Sequence, residues 1–184
     1  ASAASSWTSY ALDAPVMMIR THEDRCVALT RSTTFARWIH DGHELGWPTL
    51  DDFEYHLTTL FPPVRPRGWF ELRTLDALPD EWWPVAVAVA TAMLDGPETA
   101  DLVSRESATL RSLWSDAARD ACSHPVVGAV VERCFAASLG ALPRLGADAA
   151  TQTAAESYYE RYVARGRCPA DDLFADPSRL PAVS

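Results

Sequence analysis

The residues equipped for chemistry lie between positions 56 and 76: His-Leu-Thr-Thr-Leu-Phe-Pro-Pro-Val-Arg-Pro-Arg-Gly-Trp-Phe-Glu-Leu-Arg-Thr-Leu-Asp. A helix ends there, a proline-rich corner follows, and a strand is expected over 67–75 carrying Glu71 and Arg73. Side chains alternate between the two faces of a strand. Arg67, Trp69, Glu71, Arg73 and Leu75 should therefore share one side, and Phe70, Leu72 and Thr74 the other. Charges on a face that normally carries Val or Leu cost several kcal/mol each to bury unless they are paired or ligated. Same-face neighbours stand about 6.6–7 Å apart, which leaves room for a phosphate or a metal between them. A carboxylate for Mg2+ and guanidinium forks for phosphate are what phosphoryl transfer from a nucleotide requires. The competing reading is the charged face of an edge strand, with Glu71 and Arg73 as a surface pair. Periodicity alone does not separate the two.

The flanking segments must hold this stretch in place. Val16 to Arg20 and Arg25 to Thr30 are apolar and β-branched on either side of Thr21-His22-Glu23-Asp24, which predicts an antiparallel hairpin. Residues 1–6 read as a flexible end, and Trp7 to Asp13 as a short helix or turn. Phe35, Trp38 and Ile39 recur at i, i+3, i+4, a helix with Thr33 as N-cap and Gly42 as its stop. Thr49 caps the next helix, whose apolar stripe is Leu50, Phe53, Leu57 and Leu60, and Pro62 and Pro63 end it. With the 67–75 strand, the first part amounts to three strands of a sheet.

The pattern then turns helical. Asp80 caps a helix to about Leu94, and Pro97 opens a long one with Leu102, Val103, Leu110, Leu113, Trp114 and Ala117 on one side. Pro125 opens another carrying Val127, Val130, Val131, Cys134, Phe135 and Leu139. A fourth spans 149–165 and stops at Gly166, and the residues from Pro169 read as irregular. The expected class is α+β: residues 1–78 strand-rich and 79–184 helical, within one domain.

The 184 residues carry a net charge of −9 with a pI near 4.9, which argues against nucleic acid or an anionic membrane as partner. All 16 basic residues are Arg, the mark of a GC-rich genome, and Arg is thus the side-chain cation left for phosphate. No stretch approaches the roughly 18 apolar residues of a membrane span, and no secretory core precedes a cleavage site, so a cytoplasmic location is expected. Cys26, Cys122, Cys134 and Cys168 fit neither a zinc site nor a thioredoxin-type spacing. They are expected as reduced thiols, with two, Cys26 on a strand and Cys134 on a helix face, as buried small hydrophobes.

The run HLTTLFPPVRPRGWFELRTLD, with Pro48-Thr49-Leu50-Asp51-Asp52-Phe53 before it, resembles the signature of the plant and bacterial glutamate–cysteine ligases. In that family a helix reading T-x-x-D-W/F-x-x-H-L-T-T-x-F-P leads into V-R and then L-E-x-R-x-x-D. Order and spacing both match, and the R-P-R-G form is that of the bacterial members that open ergothioneine biosynthesis. The likeness reaches back to Tyr10-Ala-Leu-Asp-Ala-Pro-Val-Met-Met and on to Trp83-Pro84, and Arg165-Gly166-x-x-Pro169-Ala170-Asp171 matches near the end. Leu78-Pro79-Asp80-Glu81 departs from a Gln-Pro-Gly type, which puts in doubt any backbone contact made there.

The resemblance implies a glutamine-synthetase-like antiparallel sheet, of which this chain holds a part, followed by a helical C-terminal half. It implies ATP-dependent joining of the glutamate γ-carboxylate to the cysteine amine through a γ-glutamyl phosphate, with Mg2+, and places the acid of L-E-x-R, here Glu71, at the metal. Family members are much longer and the chain does not begin with Met, so it is expected to be the C-terminal part of an enzyme, inactive alone.

Arg73 is then the partner of the transferred phosphoryl group or of a glutamate carboxylate. Arg65 and Arg67, flanking Pro66, reach the phosphates of ATP, or form a solvated loop pair. Gly68 supplies an unusual backbone angle, a close approach or a bulge. His56 is a base or substrate contact on one reading and a half-buried histidine bonded to a carbonyl on the other. One of Thr58 and Thr59 bonds substrate while the other closes the helix. Asp76 orders Arg73 or caps the next segment. Arg20 is a further carboxylate candidate, and Trp82 and Trp83 are core or domain contacts. A related carboxylate–amine ligase with another amine acceptor, or a non-catalytic binding domain of the same fold, would share these motifs.

Overall fold

Prolines, glycines and capping side chains set the element boundaries in the computed structural model, which describes residues 2–21, 25–75 and 77–176. The chain forms two compact units, Ala1–Thr74 and Leu75–Ser184.

In the first unit, helix α1 (Ala3–Asp13) begins under a Ser2 cap, so part of the stretch expected to be flexible is helical. Strands β1 (Met18–Arg20) and β2 (Cys26–Ala28) pair antiparallel with Ile19 opposite Val27, the predicted hairpin, though shorter than its apolar run. Residues 22–24 of its turn lie outside the described residues. Helix α2 (Phe35–Asp41) is capped by Thr34, one residue later than expected, and ends at Gly42, whose φ of 69° suits glycine. Helix α3 (Leu50–Thr58) carries a full capping box: Asp52 N donates to Thr49 Oγ1, and Thr49 N donates to Asp52 Oδ2. Val16, Ile19, Phe35 and Trp38 form the core, with Leu12, Leu29 and Phe53 packed against it. Leu50, assigned to the apolar stripe, sits in the first turn of α3 and is exposed.

The expected strand over 67–75 is corrected. Strand β4 covers only Phe70–Leu72, and its antiparallel partner is β3 (Val64–Pro66). Arg67, Gly68 and Trp69 make the connecting turn, closed by Arg67 N donating to Trp69 O at 2.8 Å, with Gly68 at φ 81°. The sequence places a proline corner directly before Val64, and Gly68 lets the chain fold back after only three residues. Among the described residues, two two-stranded ribbons likewise stand in place of the three-stranded sheet.

The second unit is helical: α4 (Trp83–Asp95), α5 (Pro97–Ser107), α6 (Trp114–Asp120), α7 (Pro125–Ala141), α8 (Ala149–Arg161) and α9 (Pro169–Ala175). Small antiparallel sheets followed by a mostly helical half are thus the architecture, as the α+β expectation held. The long helix from Pro97 breaks after Ser107 into a 3-10 turn, leaving Trp114 exposed at the start of α6. The segment from Pro169, read as irregular, forms α9. Trp82, Val85, Val89, Ala92, Phe135 and Tyr162 lead the core, and the half-buried Tyr158 beside it has its hydroxyl pKa raised to about 12 by desolvation. Among the described residues no helix is long and apolar enough to cross a membrane.

Candidate active site

The hairpin β3–β4 assembles the charged residues of the 56–76 stretch. Arg65 and Glu71 are directly opposed across the two strands, so their side chains share a face. Arg65 Nη1 lies 3.5 Å from Glu71 Oε2, Arg67 Nε 3.7 Å from the same oxygen, and Arg73 Nη1 2.8 Å from Oε1. Three guanidiniums therefore surround one carboxylate, a local excess of two positive charges in a chain whose net charge is −9. The same-face spacing of Glu71 and Arg73 is spanned by their side chains, which meet directly.

The three arginines differ in how firmly they are held. Arg65 is nearly enclosed, its side chain 12% exposed. Its Nη2 donates to the Leu60 carbonyl at 3.2 Å, while its buried Nε has no hydrogen-bond partner among the described residues. Arg73 lies over the Phe61 ring, 5.5 Å from its centre. Arg67, in the turn, is half exposed. Arg65 is thus the most enclosed of the three and Arg67 the most exposed, and guanidinium forks match planar or tetrahedral anions such as carboxylate and phosphate. The opposite face of the ribbon carries Val64, Pro66 and Phe70 beside Trp7 and Tyr10 of α1, an apolar groove.

Mg2+ fares differently. Among the described residues no group of three or more His, Cys, Asp or Glu could hold a metal ion, and the one carboxylate at this site is already shared by three cations. The described residues by themselves do not complete a metal centre.

The other expected site residues are committed elsewhere. His56 is buried, stacked 4.9 Å from the Phe35 ring, with Nε2 2.9 Å from the Ala11 carbonyl. Its pKa is lowered by burial, and its Nδ1 has no partner among the described residues. It pins α3 to the end of α1, the packing alternative of its two readings. Thr58 and Thr59 both close the last turn of α3, donating to the Tyr55 and His56 carbonyls. Arg20 donates to the Asp51 carbonyl and lies 4.7 Å over the Tyr55 ring. Trp82 is core and Trp83 is exposed. Asp76 lies outside the described residues. Cys134 is buried as expected, but Cys26 is exposed, because the short β2 presents it beside Tyr55 and not to the core. The sequence reading missed the Leu60 carbonyl and the Phe61 ring as supports of Arg65 and Arg73; the adjacent Pro62-Pro63 corner, which turns the chain back on itself, was their signal.

The likeness extends well beyond the motif. Residues 1–179 match glutamate-cysteine ligase family 2, and the protein belongs to that family. Among its relatives, the glutamate–cysteine ligase EgtA of Mycobacterium tuberculosis (strain ATCC 25618 / H37Rv) is 39% identical over 171 residues, covering 91% of this chain and 38% of that protein. The glutamate–cysteine ligase EgtA of Mycolicibacterium smegmatis (strain ATCC 700084 / mc(2)155) is 40% identical over 174 residues, covering 92% of this chain and 39% of that protein. The chain thus spans less than two fifths of the length of these curated relatives. No solved structure gives a significant match.

Proposed function

We propose that this chain contributes the anion-holding hairpin of an ATP-dependent glutamate–cysteine ligase. The enzyme would phosphorylate the glutamate γ-carboxylate and then let the cysteine amine displace phosphate, giving γ-glutamylcysteine, with a role in ergothioneine biosynthesis and a cytoplasmic location. The observation that carries this reading is the cluster of Arg65, Arg67 and Arg73 around Glu71, built by the same motif that marks the family. A carboxylate resists attack by an amine, and transfer of a phosphoryl group to it brings two anions together. Guanidinium forks offset that repulsion, and do so most strongly where water is excluded.

In this proposal Arg73 and Arg67 turn from Glu71 to phosphate or substrate carboxylate oxygens, while Arg65 holds the strand pair in register. Glu71 keeps the arginines splayed when no anion is bound, and is the one carboxylate the hairpin offers to a Mg2+ carried by ATP. His56 and the Thr58 hydroxyl act by fixing α3, which leads into the corner. The acceptor amine lies beyond what an anion site distinguishes, so a ligase using another amine is the second reading.

The experiment uses the full-length protein with glutamate whose γ-carboxylate is labelled with 18O. Transfer of one label to inorganic phosphate, dependent on cysteine and accompanied by ADP and γ-glutamylcysteine, is the expected result. Label transfer with a different amine would select the other ligase, and absence of ADP release with every amine would refute the enzyme reading. The isolated 184-residue chain should form no γ-glutamylcysteine by mass spectrometry, since it brings one carboxylate to chemistry that handles ATP.

A further inference from the structure

Leu60 and Phe61, which lead into the Pro62-Pro63 corner, each hold one arginine of the cluster. The Leu60 carbonyl accepts from Arg65 Nη2 at 3.2 Å, and the Arg73 guanidinium lies over the Phe61 ring, 5.5 Å from its centre. The corner also takes the Arg73 backbone. Its N–H donates to the Pro63 carbonyl at 2.8 Å, one step beyond the paired Val64 and Leu72. Arg73 is therefore anchored to residues 61–63 at both ends of its side chain. Proline fixes φ at positions 62 and 63, which keeps the two anchor points at a set spacing.

The two supports differ in kind. Arg65 gives an N–H to the Leu60 carbonyl, and that donor is no longer available to a ligand. An aromatic face attracts a guanidinium through its quadrupole and occupies none of its N–H groups. Arg73 can thus stay in place while its fork, now with Nη1 2.8 Å from Glu71 Oε1, changes partner to an incoming anion. An unsupported arginine gives up rotamer freedom when it grips a ligand, and one already held by a ring has lost much of that freedom beforehand.

Phe61 does nothing comparable for the core. Its ring is 67% exposed, whereas the adjacent Leu60 is buried, and it lies outside the cluster of Val16, Ile19, Phe35 and Trp38. Loss of the ring should therefore leave folding largely intact, so that a part in binding can be measured apart from a part in stability.

We propose that Phe61 is a positioning residue for Arg73, setting the direction in which its fork meets phosphate or the substrate carboxylate. The proposal rests on the anion-holding role of the hairpin and adds the side chain that aims one of its forks.

The test compares full-length wild type, Phe61→Leu, Phe61→Tyr, Arg73→Lys and the double variant Phe61→Leu/Arg73→Lys, following ADP release at varied glutamate together with Tm. Phe61→Leu should lower kcat/KM for glutamate about three- to tenfold, with Tm within about 2 °C of wild type. Phe61→Tyr keeps the aromatic face and should restore kcat/KM to within about twofold. In Arg73→Lys no fork remains to be aimed, so adding Phe61→Leu should cost less than about twofold. Wild-type kinetics in Phe61→Leu beside an impaired Arg73→Lys overturn this proposal alone. So does an equal loss from Phe61→Leu in both backgrounds, a Phe61→Tyr protein as impaired as Phe61→Leu, or a fall in Tm beyond about 5 °C in Phe61→Leu. An unimpaired Arg73→Lys refutes the anion-holding role itself, and the proposal with it.

Discussion

Replacing Arg73 by Lys keeps the charge and removes the fork, and so separates a ligand-holding residue from a structural one. Arg73 Nη1 stands 2.8 Å from Glu71 Oε1, with the two side chains 29% and 34% exposed. A pair this open to water contributes at most about 1 kcal/mol, and Lys retains part of it. The Phe61 contact, at 5.5 Å, adds about 0.5 kcal/mol that an ammonium partly keeps. The stability change should therefore stay near 0.5 kcal/mol, a shift of Tm of no more than about 1–2 °C. The chemistry should suffer more. An arginine that binds phosphate or carboxylate through two nitrogens leaves one oxygen unmatched when shortened to Lys, a loss of about 1.5–3 kcal/mol. That corresponds to about a ten- to hundredfold fall in kcat/KM for glutamate. ADP release by the full-length Arg73→Lys protein, measured beside its Tm, provides the comparison. A kcat/KM within threefold of wild type with an unchanged Tm would refute the anion-site reasoning and return Arg73 to a structural pair.

Glu71→Gln removes the single negative charge among three guanidiniums, so Tm should fall by a few degrees and ADP release sharply. Inorganic phosphate should then raise Tm more in the variant than in wild type; equal responses would show that the arginines do not form an anion site. Burial lowers the His56 pKa, so the unfolded chain takes up the proton first as pH falls below about 6.5. Its contribution to stability is complete above that pH and is lost as pH falls toward the depressed folded value. The Tm difference between wild type and His56→Gln should accordingly shrink from pH 8 to pH 5, and a constant difference would contradict the buried neutral histidine. Gly128→Ala places a Cβ 2.3 Å from the Cys122 carbonyl oxygen and should cost at least about 2 kcal/mol by urea unfolding. A wild-type midpoint would show that the turn at Cys122 yields.

Local signals were legible wherever one residue type has one physical job. Thr49 and Asp52 announced the start of α3, Gly166 the stop after α8, and the prolines at 97 and 125 the first turns of α5 and α7. Strand lengths were not legible. The apolar runs beside Thr21 and after Gly68 are longer than the ladders they form, because a ladder ends where its partner does. Cys26 shows the same limit, since alternation assigns faces but not which face is covered.

The sequence by itself determined most of the element types, the family, and the set of charged residues in the 56–76 stretch, because caps, turn formers and motif order are local properties of the chain. The tertiary structure alone decided which of those residues meet. Folding back at Gly68 set Arg65 opposite Glu71 and drew Arg67 and Arg73 onto the same carboxylate. The packing of α3 against α1 took His56 into the core. Pairing register and side-chain reach depend on partners distant in sequence, and no periodicity along one segment encodes them.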